Sequence, residues 1–162
     1  MKKFLAALLA LSLTFGSVAL PAAESGVIAR GVNISASAEV YGDFEYDFLD
    51  DVTIEITKYV GNDEKVVIPS TIDGKRVTSI GGLAFQNCST IKSVIIPDGV
   101  TTIGWASFDE CSSLESITIP DSVTSIDEVA FENCTKLTSI TIPNRVTNWC
   151  SIIKLDIPTS KK

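Results

Sequence analysis

The hydrophobic and polar positions of this chain repeat with a period of 23 residues. Each repeat carries an Ala/Ser-Phe-x-x-Cys segment in the same place. A fixed period of this length is typical of a solenoid, in which each repeat forms one coil and stacks on the next. Because stacking buries equivalent positions of every coil, we interpret the repeated aromatic and thiol positions as the core of the repeats. These positions are Phe85, Phe108, Phe131, Cys88, Cys111 and Cys134.

Two apolar patterns inside each repeat predict two short strands. In the middle repeat, residues 114–119 have L-x-x-L-x-L spacing, whose final alternation turns two apolar residues inward. The β-branched segment 100–103 predicts a second strand on the opposite side of the coil. The segment between them, 105–111, is too short for an ordinary helix, so we expect a single helical or 3₁₀ turn there.

Alternation also marks the segment that precedes the repeats. Phe44, Tyr46 and Phe48 alternate with carboxylates, and a second alternating run follows a turn at Asp50-Asp51, so residues 43–60 predict a β-hairpin. A solenoid needs a cap with one apolar face, because its first coil otherwise exposes core side chains to water. The turn at residues 70–76 is five residues longer than its later counterparts and is expected to form a surface loop.

The chain divides into five segments. The basic start and the apolar run after it predict a secretory signal peptide at residues 1–23, with other candidate cleavage points after Ala19 and Ala38. A membrane anchor is the alternative for this segment, but the run is short and contains Gly16 and Pro21. The remaining segments are a flexible lead-in (24–40), the cap with a first partial repeat (41–76), three repeats (77–145) and a truncated closing repeat with a tail (146–162).

Charge and composition limit the classes of function that the chain can have. The formal net charge is −7, which disfavours nucleic acid and anionic lipid as partners. No other run reaches the ~20 apolar residues that a membrane span needs, so we expect a secreted protein, free or associated with the cell surface. The sequence contains no histidine, which removes Ser-His and Cys-His nucleophile pairs and the commonest general base. We therefore expect a protein without enzyme activity and without a cofactor.

The densest acidic group lies in the cap. Its members alternate along a strand and its turn, so we interpret them as a solvated outer face, with a calcium site and a carboxylate-based hydrolase as alternatives. They are Asp43, Glu45, Asp47, Asp50 and Asp51.

The third repeat carries a family resemblance. Its segments Val123-Thr124-Ser125-Ile126, Ala130-Phe131-Glu132-Asn133-Cys134 and Leu137-Thr138-Ser139-Ile140-Thr141-Ile142-Pro143 resemble the repeat of the BspA-like leucine-rich-repeat proteins of bacteria. The segments that begin at Val77 and Val100 repeat it, with Ser107 as the one departure from alanine in its column. The resemblance implies a right-handed leucine-rich-repeat superhelix, mainly β, on an exported or surface protein. Adhesion to host proteins or other cells is known for some members, and the family brings no catalytic residues to transfer.

The cysteines allow more than one interpretation. Cys88, Cys111 and Cys134 share one column and should stack as small apolar residues. A disulfide is the alternative, because coils about 4.8 Å apart permit the Cα separation, although stacked side chains point the same way. A metal site is disfavoured by the absence of histidine and by the spacing. Cys150 lies outside the column beside Trp149, and it is either buried or able to pair between chains.

Two hypotheses follow for function. In the first, the chain is a non-enzymatic interaction module that binds a protein or glycan through its outward strand residues or the loop 70–76. The candidate residues are Ile95, Ser116, Thr118, Thr141 and Trp105, the last at a position held by Gly82 and Glu128 in the neighbouring repeats. The strand ladder lacks large anchors, so an ordinary solvated sheet is the alternative interpretation.

In the second hypothesis, the chain is a structural accessory that assembles with itself or with another repeat protein through its closing repeat, and we expect a monomer or a weak homodimer. The candidate interface residues are Trp149, Cys150 and Ile153. A hydrolase that depends on Asp47 is a distant third hypothesis.

Overall fold

The computed structural model describes residues 38–147 and the backbone of residues 159–161. The predicted signal peptide and the residues Trp149, Cys150 and Ile153 lie outside the described residues. The described part is a β-solenoid, as the 23-residue period predicts, and it contains no helix. Its strands are β1 (Glu39–Tyr41), β2 (Phe44–Phe48), β3 (Thr53–Tyr59), β4 (Lys65–Val67), β5 (Thr71–Ile72), β6 (Lys75–Ile80), β7 (Ser93–Ile95), β8 (Thr102–Ile103), β9 (Ser116–Thr118), β10 (Ser125–Ile126), β11 (Ile140–Ile142) and β12 (Thr159–Lys161).

The strands form two sheets on opposite sides of the coil and a short pair at the C-terminal end. Sheet 1 has the order β1-β2-β3-β6-β8-β10, with β5 paired to β6, and sheet 2 has the order β4-β7-β9. Coils pair in parallel at the sequence period, since Ser79 lies opposite Thr102 and Ser93 lies opposite Ser116. The β4–β7 pairing joins Lys65 to Ser93, 28 positions apart, so the five-residue insertion between them leaves the stacking intact.

A column of stacked rings runs through the core. Tyr59 of the cap stacks on Phe85 with ring centroids 5.3 Å apart, Phe85 on Phe108 at 4.8 Å, and Phe108 on Phe131 at 5.4 Å. The four rings are nearly parallel and all are buried. Offset ring pairs at these separations contribute beyond their burial. The hairpin therefore continues the aromatic column over the first coil, which confirms the predicted cap.

The segments that follow sheet 1 in each coil are hydrogen-bonded turns, where the sequence led us to expect a helical or 3₁₀ turn. Two residues of each turn have a positive φ, for example 49° at Ala106 and 59° at Glu110. A residue in the left-handed region cannot continue a right-handed helical turn. The amides of each turn alternate between bonds to the carbonyl three residues earlier, as in Ser107 N to Gly104 O at 3.3 Å, and bonds to the next coil, as in Phe108 N to Ala130 O at 2.8 Å.

The cap contains more structure than the alternation predicts. β1 begins at Glu39, inside the segment expected to be a flexible lead-in, and pairs antiparallel with β2. Along the aromatic face of β2, Phe44 is half-buried, Tyr46 is buried and Phe48 is 52% exposed, so the cap leaves the end of this face open. The loop 70–76 folds back as the β5–β6 hairpin, and its Asp73 carboxylate accepts a 2.7 Å hydrogen bond from the Tyr46 hydroxyl of the cap.

The last strand lies later in the chain than the sequence indicates. The repeat pattern aligns Ile157 with Ile142, whereas the structure pairs Ile142 with Lys161, four residues further on. The closing repeat lacks the Ala-Phe-x-x-Cys segment whose turn sets the register of the other coils. Without that segment, the repeat spacing does not determine which backbone groups of the last strand pair with those of β11.

Candidate interaction surfaces

The first candidate surface is the outward side of sheet 2 and β11, called the strand face here. Its side chains are small and mostly hydroxylic, and Ser116, Thr118 and Thr141 are exposed. Ile95 is 38% exposed, and Val67 continues its column toward the cap. An exposed ion pair between Lys92 and Glu64 (2.7 Å) borders this face. The structure thus places four of the five predicted partner-binding residues on one exposed surface.

The second candidate surface is formed by residues 82–87, 105–110 and 127–133, called the turn face here. Trp105 is 54% exposed and Leu83 is 42% exposed, and the Leu83 amide donates to the Trp105 carbonyl at 3.0 Å. Trp105 therefore stands apart from the strand-face candidates, on another side of the coil. The sequence analysis did not identify Leu83, although a leucine in a turn column that otherwise holds alanine and valine was a visible signal.

The turn face has a polar frame around these two apolar side chains. Both carboxylate oxygens of Asp109 accept hydrogen bonds at 3.1 Å, one from the Gln86 amide and one from the Asn133 amide. These bonds join three successive coils through side chains, in addition to the backbone bonds between the turns. The sequence analysis did not predict this link, although Gln86 and Asp109 occupy the same position of successive repeats and Asn133 lies one position later in the third.

The cysteine column lies inside the coil. The Cys111 thiol donates to the Phe85 carbonyl and the Cys134 thiol to the Phe108 carbonyl, each at 3.1 Å. The neighbouring Cys134 thiol and burial raise the pKa of Cys111 well above its ordinary value, and burial raises the pKa of the half-buried Cys88. The three cysteines form no disulfide, and the thiols of Cys88 and Cys111 are protonated. A protonated thiol is neither a nucleophile nor a metal ligand.

One member of the acidic group of the cap, Asp50, stabilises the turn of the hairpin. The Asp50 carboxylate accepts hydrogen bonds from the amides of Val52 (2.8 Å) and Thr53 (2.7 Å), and these bonds lower the pKa of Asp50. Asp47 is exposed and lies opposite Glu55 in the β2–β3 register. Among residues 38–147, no group of histidine, cysteine and acidic side chains is arranged to hold a metal ion.

Two further observations concern a pocket and the possibility of a membrane-spanning helix. An open pocket of about 510 Å³ lies at the proline turns, between Asp121-Ser122 of one coil and Pro143-Asn144-Arg145 of the next. Within the described part of the chain, no helix is long and apolar enough to cross a membrane.

Comparison with known proteins identifies the repeat. The family model of the BspA type leucine rich repeat region matches residues 58–160, in six copies. A search of curated proteins found no match.

Solved structures of bacterial repeat proteins are similar to the chain. A T. pallidum leucine rich repeat protein is 34% identical with a TM-score of 0.64, over 68% of this chain and 52% of that protein. A Bacteroides capillosus leucine-rich repeat protein is 29% identical with a TM-score of 0.68, over 78% and 99% of the two chains. A Faecalibacterium prausnitzii leucine rich cell surface protein is 28% identical with a TM-score of 0.62, over 79% and 43%. The chain thus spans about half of the first protein and nearly all of the second.

Proposed function

The chain belongs to the BspA-type leucine-rich repeat family, and from this premise we propose that it is an exported, non-enzymatic interaction module that binds a protein or glycan at or outside the cell surface. The observation that supports it most is the arrangement of exposed side chains in rows, held one coil apart by backbone hydrogen bonds around a continuous buried core. Repeat proteins use such extended regular surfaces for binding.

The absence of enzyme activity is part of the proposal. The chain has no histidine, and its thiols at Cys88 and Cys111 are protonated. A hydrolase based on two carboxylates needs them across a cleft. Asp47 and Glu55 instead lie side by side on adjacent strands of a sheet. Full activity toward common polysaccharides that is lost in Asp47→Asn would contradict this part.

Export has a direct test in the natural host. We expect the protein in the medium or in the surface fraction, with a new N-terminus at Leu20, Glu24 or Glu39, depending on which of the three candidate cleavage points is used. The similarity to a protein described as a cell surface protein supports this localisation. Intact Met1 in a cytoplasmic fraction would contradict it. N-terminal sequencing of the isolated protein makes the distinction.

The strand face is the first surface to test for binding. Full-length labelled protein is applied to protein and glycan arrays, and each positive interaction is repeated with Thr118→Arg/Thr141→Arg. A matched control is Thr101→Arg/Thr124→Arg, which places the same residues one coil apart on the sheet 1 side. If the strand face binds the partner, only the first double variant loses the interaction. If both double variants bind the partner as well as the unchanged protein does, the binding site lies on another surface.

A second function, assembly through the C-terminal coil, is favoured by one observation. Among the described residues β12 pairs with β11 alone, so one edge of this strand pair is open in the described part. An open strand edge is a ready site for pairing with another chain. Light scattering with and without reductant tests this function. A dimer split by reductant supports assembly through Cys150, whereas a reductant-insensitive monomer supports the free module.

A further inference from the structure

We propose that the turn face binds an arginine- or lysine-rich segment of another protein, with Trp105 as the anchor. This inference rests on the proposed function, and it specifies which surface binds and what chemistry the partner has. It concerns residues 82–87, 105–110 and 127–133, on a different side of the coil from the strand face.

The turn face is a rigid platform. Successive turns are joined by amide-to-carbonyl bonds from Leu83 to Trp105 (3.0 Å), Asn87 to Asp109 (2.9 Å), and Ala106 to Glu128 (3.2 Å). A surface that is ordered before binding loses little conformational entropy when a partner docks. The turns therefore present their side chains in fixed positions.

The platform exposes two apolar anchors in adjacent coils. Trp105 is 54% exposed and Leu83 is 42% exposed. The residue that precedes Leu83 is Gly82, which has no side chain, and a Cβ there would approach the Trp105 carbonyl to 3.3 Å. The preceding coil therefore has no side chain at position 82 that could cover Trp105. Exposed tryptophan is the residue type most enriched at binding hot spots.

The charge around the anchors has one sign. The turn face contains five acidic residues and no lysine or arginine; the five are Asp109, Glu110, Asp127, Glu128 and Glu132. Asp109 is bonded by the amides of Gln86 and Asn133, which are neutral, so its negative charge is not compensated by these partners. Glu110 and Glu128 are exposed. A surface of this kind attracts cations over a distance set by the ionic strength.

The combination identifies the chemistry of the partner. A guanidinium or ammonium group gains from a tryptophan face and from nearby carboxylates at once. The strand face has no exposed tryptophan, and the Glu64 carboxylate at its border is already paired with Lys92. A cationic peptide segment thus gains from the ring and from the negative charge, whereas a neutral sugar could hydrogen-bond the carboxylates but would gain nothing from their charge.

The test uses the full mature chain and a synthetic decapeptide of alternating arginine and serine, with an alternating glutamate-serine peptide as the reversed-charge control. We expect calorimetry to detect the arginine peptide only, with weaker binding at about 500 mM than at about 50 mM NaCl. Trp105→Ala should reduce affinity about tenfold, while Phe48→Ala, which removes an exposed ring of the cap, should leave it unchanged.

A second pair of variants separates a specific site from net charge. Glu110→Gln/Glu128→Gln and Asp43→Asn/Asp51→Asn each remove two negative charges from exposed positions, the first on the turn face and the second on the cap. The proposal requires a loss of affinity in the first variant only. Equal loss in both would overturn it, because the attraction would then be a property of the whole molecule. Circular dichroism of each variant verifies that the fold is retained.

Three other outcomes also decide between the proposals. Quenching of the tryptophan fluorescence by a neutral chitin oligosaccharide that is lost in Trp105→Ala, without binding of the arginine peptide, would overturn the proposal in favour of a glycan site. An array partner retained by Trp105→Ala and Glu110→Gln/Glu128→Gln would refute the turn-face site while leaving the proposed function intact. A chain that binds nothing on the arrays or in the peptide titration would refute the proposed function itself.

Discussion

A serine in the middle coil provides the sharpest test of the packing. Ser107 occupies the column of Ala84 and Ala130, and it is completely buried. Its amide donates to the Gly104 carbonyl at 3.3 Å and its carbonyl accepts from the Phe85 amide at 2.7 Å. Its hydroxyl has no hydrogen-bond partner. We predict that Ser107→Ala stabilises the protein.

The magnitude follows from the desolvation of the hydroxyl. Leaving a buried polar group without a partner costs about 1 to 3 kcal/mol. Because the alanines above and below show that the site accepts a methyl group, Ser107→Ala should raise the free energy of unfolding by about 1 to 2 kcal/mol. For a chain of this size, that increase corresponds to a rise in Tm of about 2 to 8 °C.

The assay is urea unfolding followed by circular dichroism, with thermal unfolding as a second measure. The urea midpoint should rise while the m-value stays unchanged, since the surface exposed on unfolding is the same. Ala130→Ser is the matched control, because it puts the same hydroxyl into the next coil, and it should lower stability by a similar amount. A less stable Ser107→Ala, or a neutral Ala130→Ser, would refute the reasoning.

Three further predictions concern the cap and the core. The hydrogen bond to Asp73 and burial raise the pKa of Tyr46 to about 12, so the stabilisation that the Tyr46 hydroxyl provides is complete below pH ~10 and is lost as the pH rises toward 12. Urea unfolding across this range should show that the difference in stability between the unchanged protein and Tyr46→Phe becomes smaller. A difference that stays constant with pH would contradict this prediction. Gly104→Ala should destabilise the protein more than Gly82→Ala in the same assay, because the Cβ added at position 104 would lie 2.7 Å from the Gly82 amide nitrogen, whereas the Cβ added at position 82 would lie 3.3 Å from the Trp105 carbonyl. Equal effects of the two substitutions would argue against close contact between the coils at Gly104. Phe108→Ala removes a ring that stacks on two others and should cost about 3 to 5 kcal/mol, and a midpoint shift of under about 1 kcal/mol would show that the ring column is not the core.

The repeat architecture was predictable because its signals are redundant. The 23-residue spacing of phenylalanine and cysteine recurs in three coils, and the strand pairings of the structure keep the same spacing. The hairpin cap was equally visible, since Tyr46 and Ile56 belong to alternating runs with a turn between them. Each of these features depends on many residues that indicate the same fold.

The missed features depend on single residues or on backbone detail. Neither the left-handed φ of Val129 (53°) nor that of Leu83 (63°) is expected for its residue type, and only the stacked hydrogen bonds of the turns favour it. No extended alternation of apolar and polar residues predicts the strand that begins at Glu39. The exposure of Trp105 was left open by the sequence, because a tryptophan in a turn can also pack over the adjacent coil.

The most direct test of the account is to map the binding surface by NMR. Amide spectra of the full mature chain are recorded during titration with the alternating arginine-serine peptide. The account predicts shifts confined to residues 82–87, 105–110 and 127–133, which lie on one side of the coil. Shifts at β7 and β9 of the strand face, or small shifts spread over all acidic residues, would contradict it.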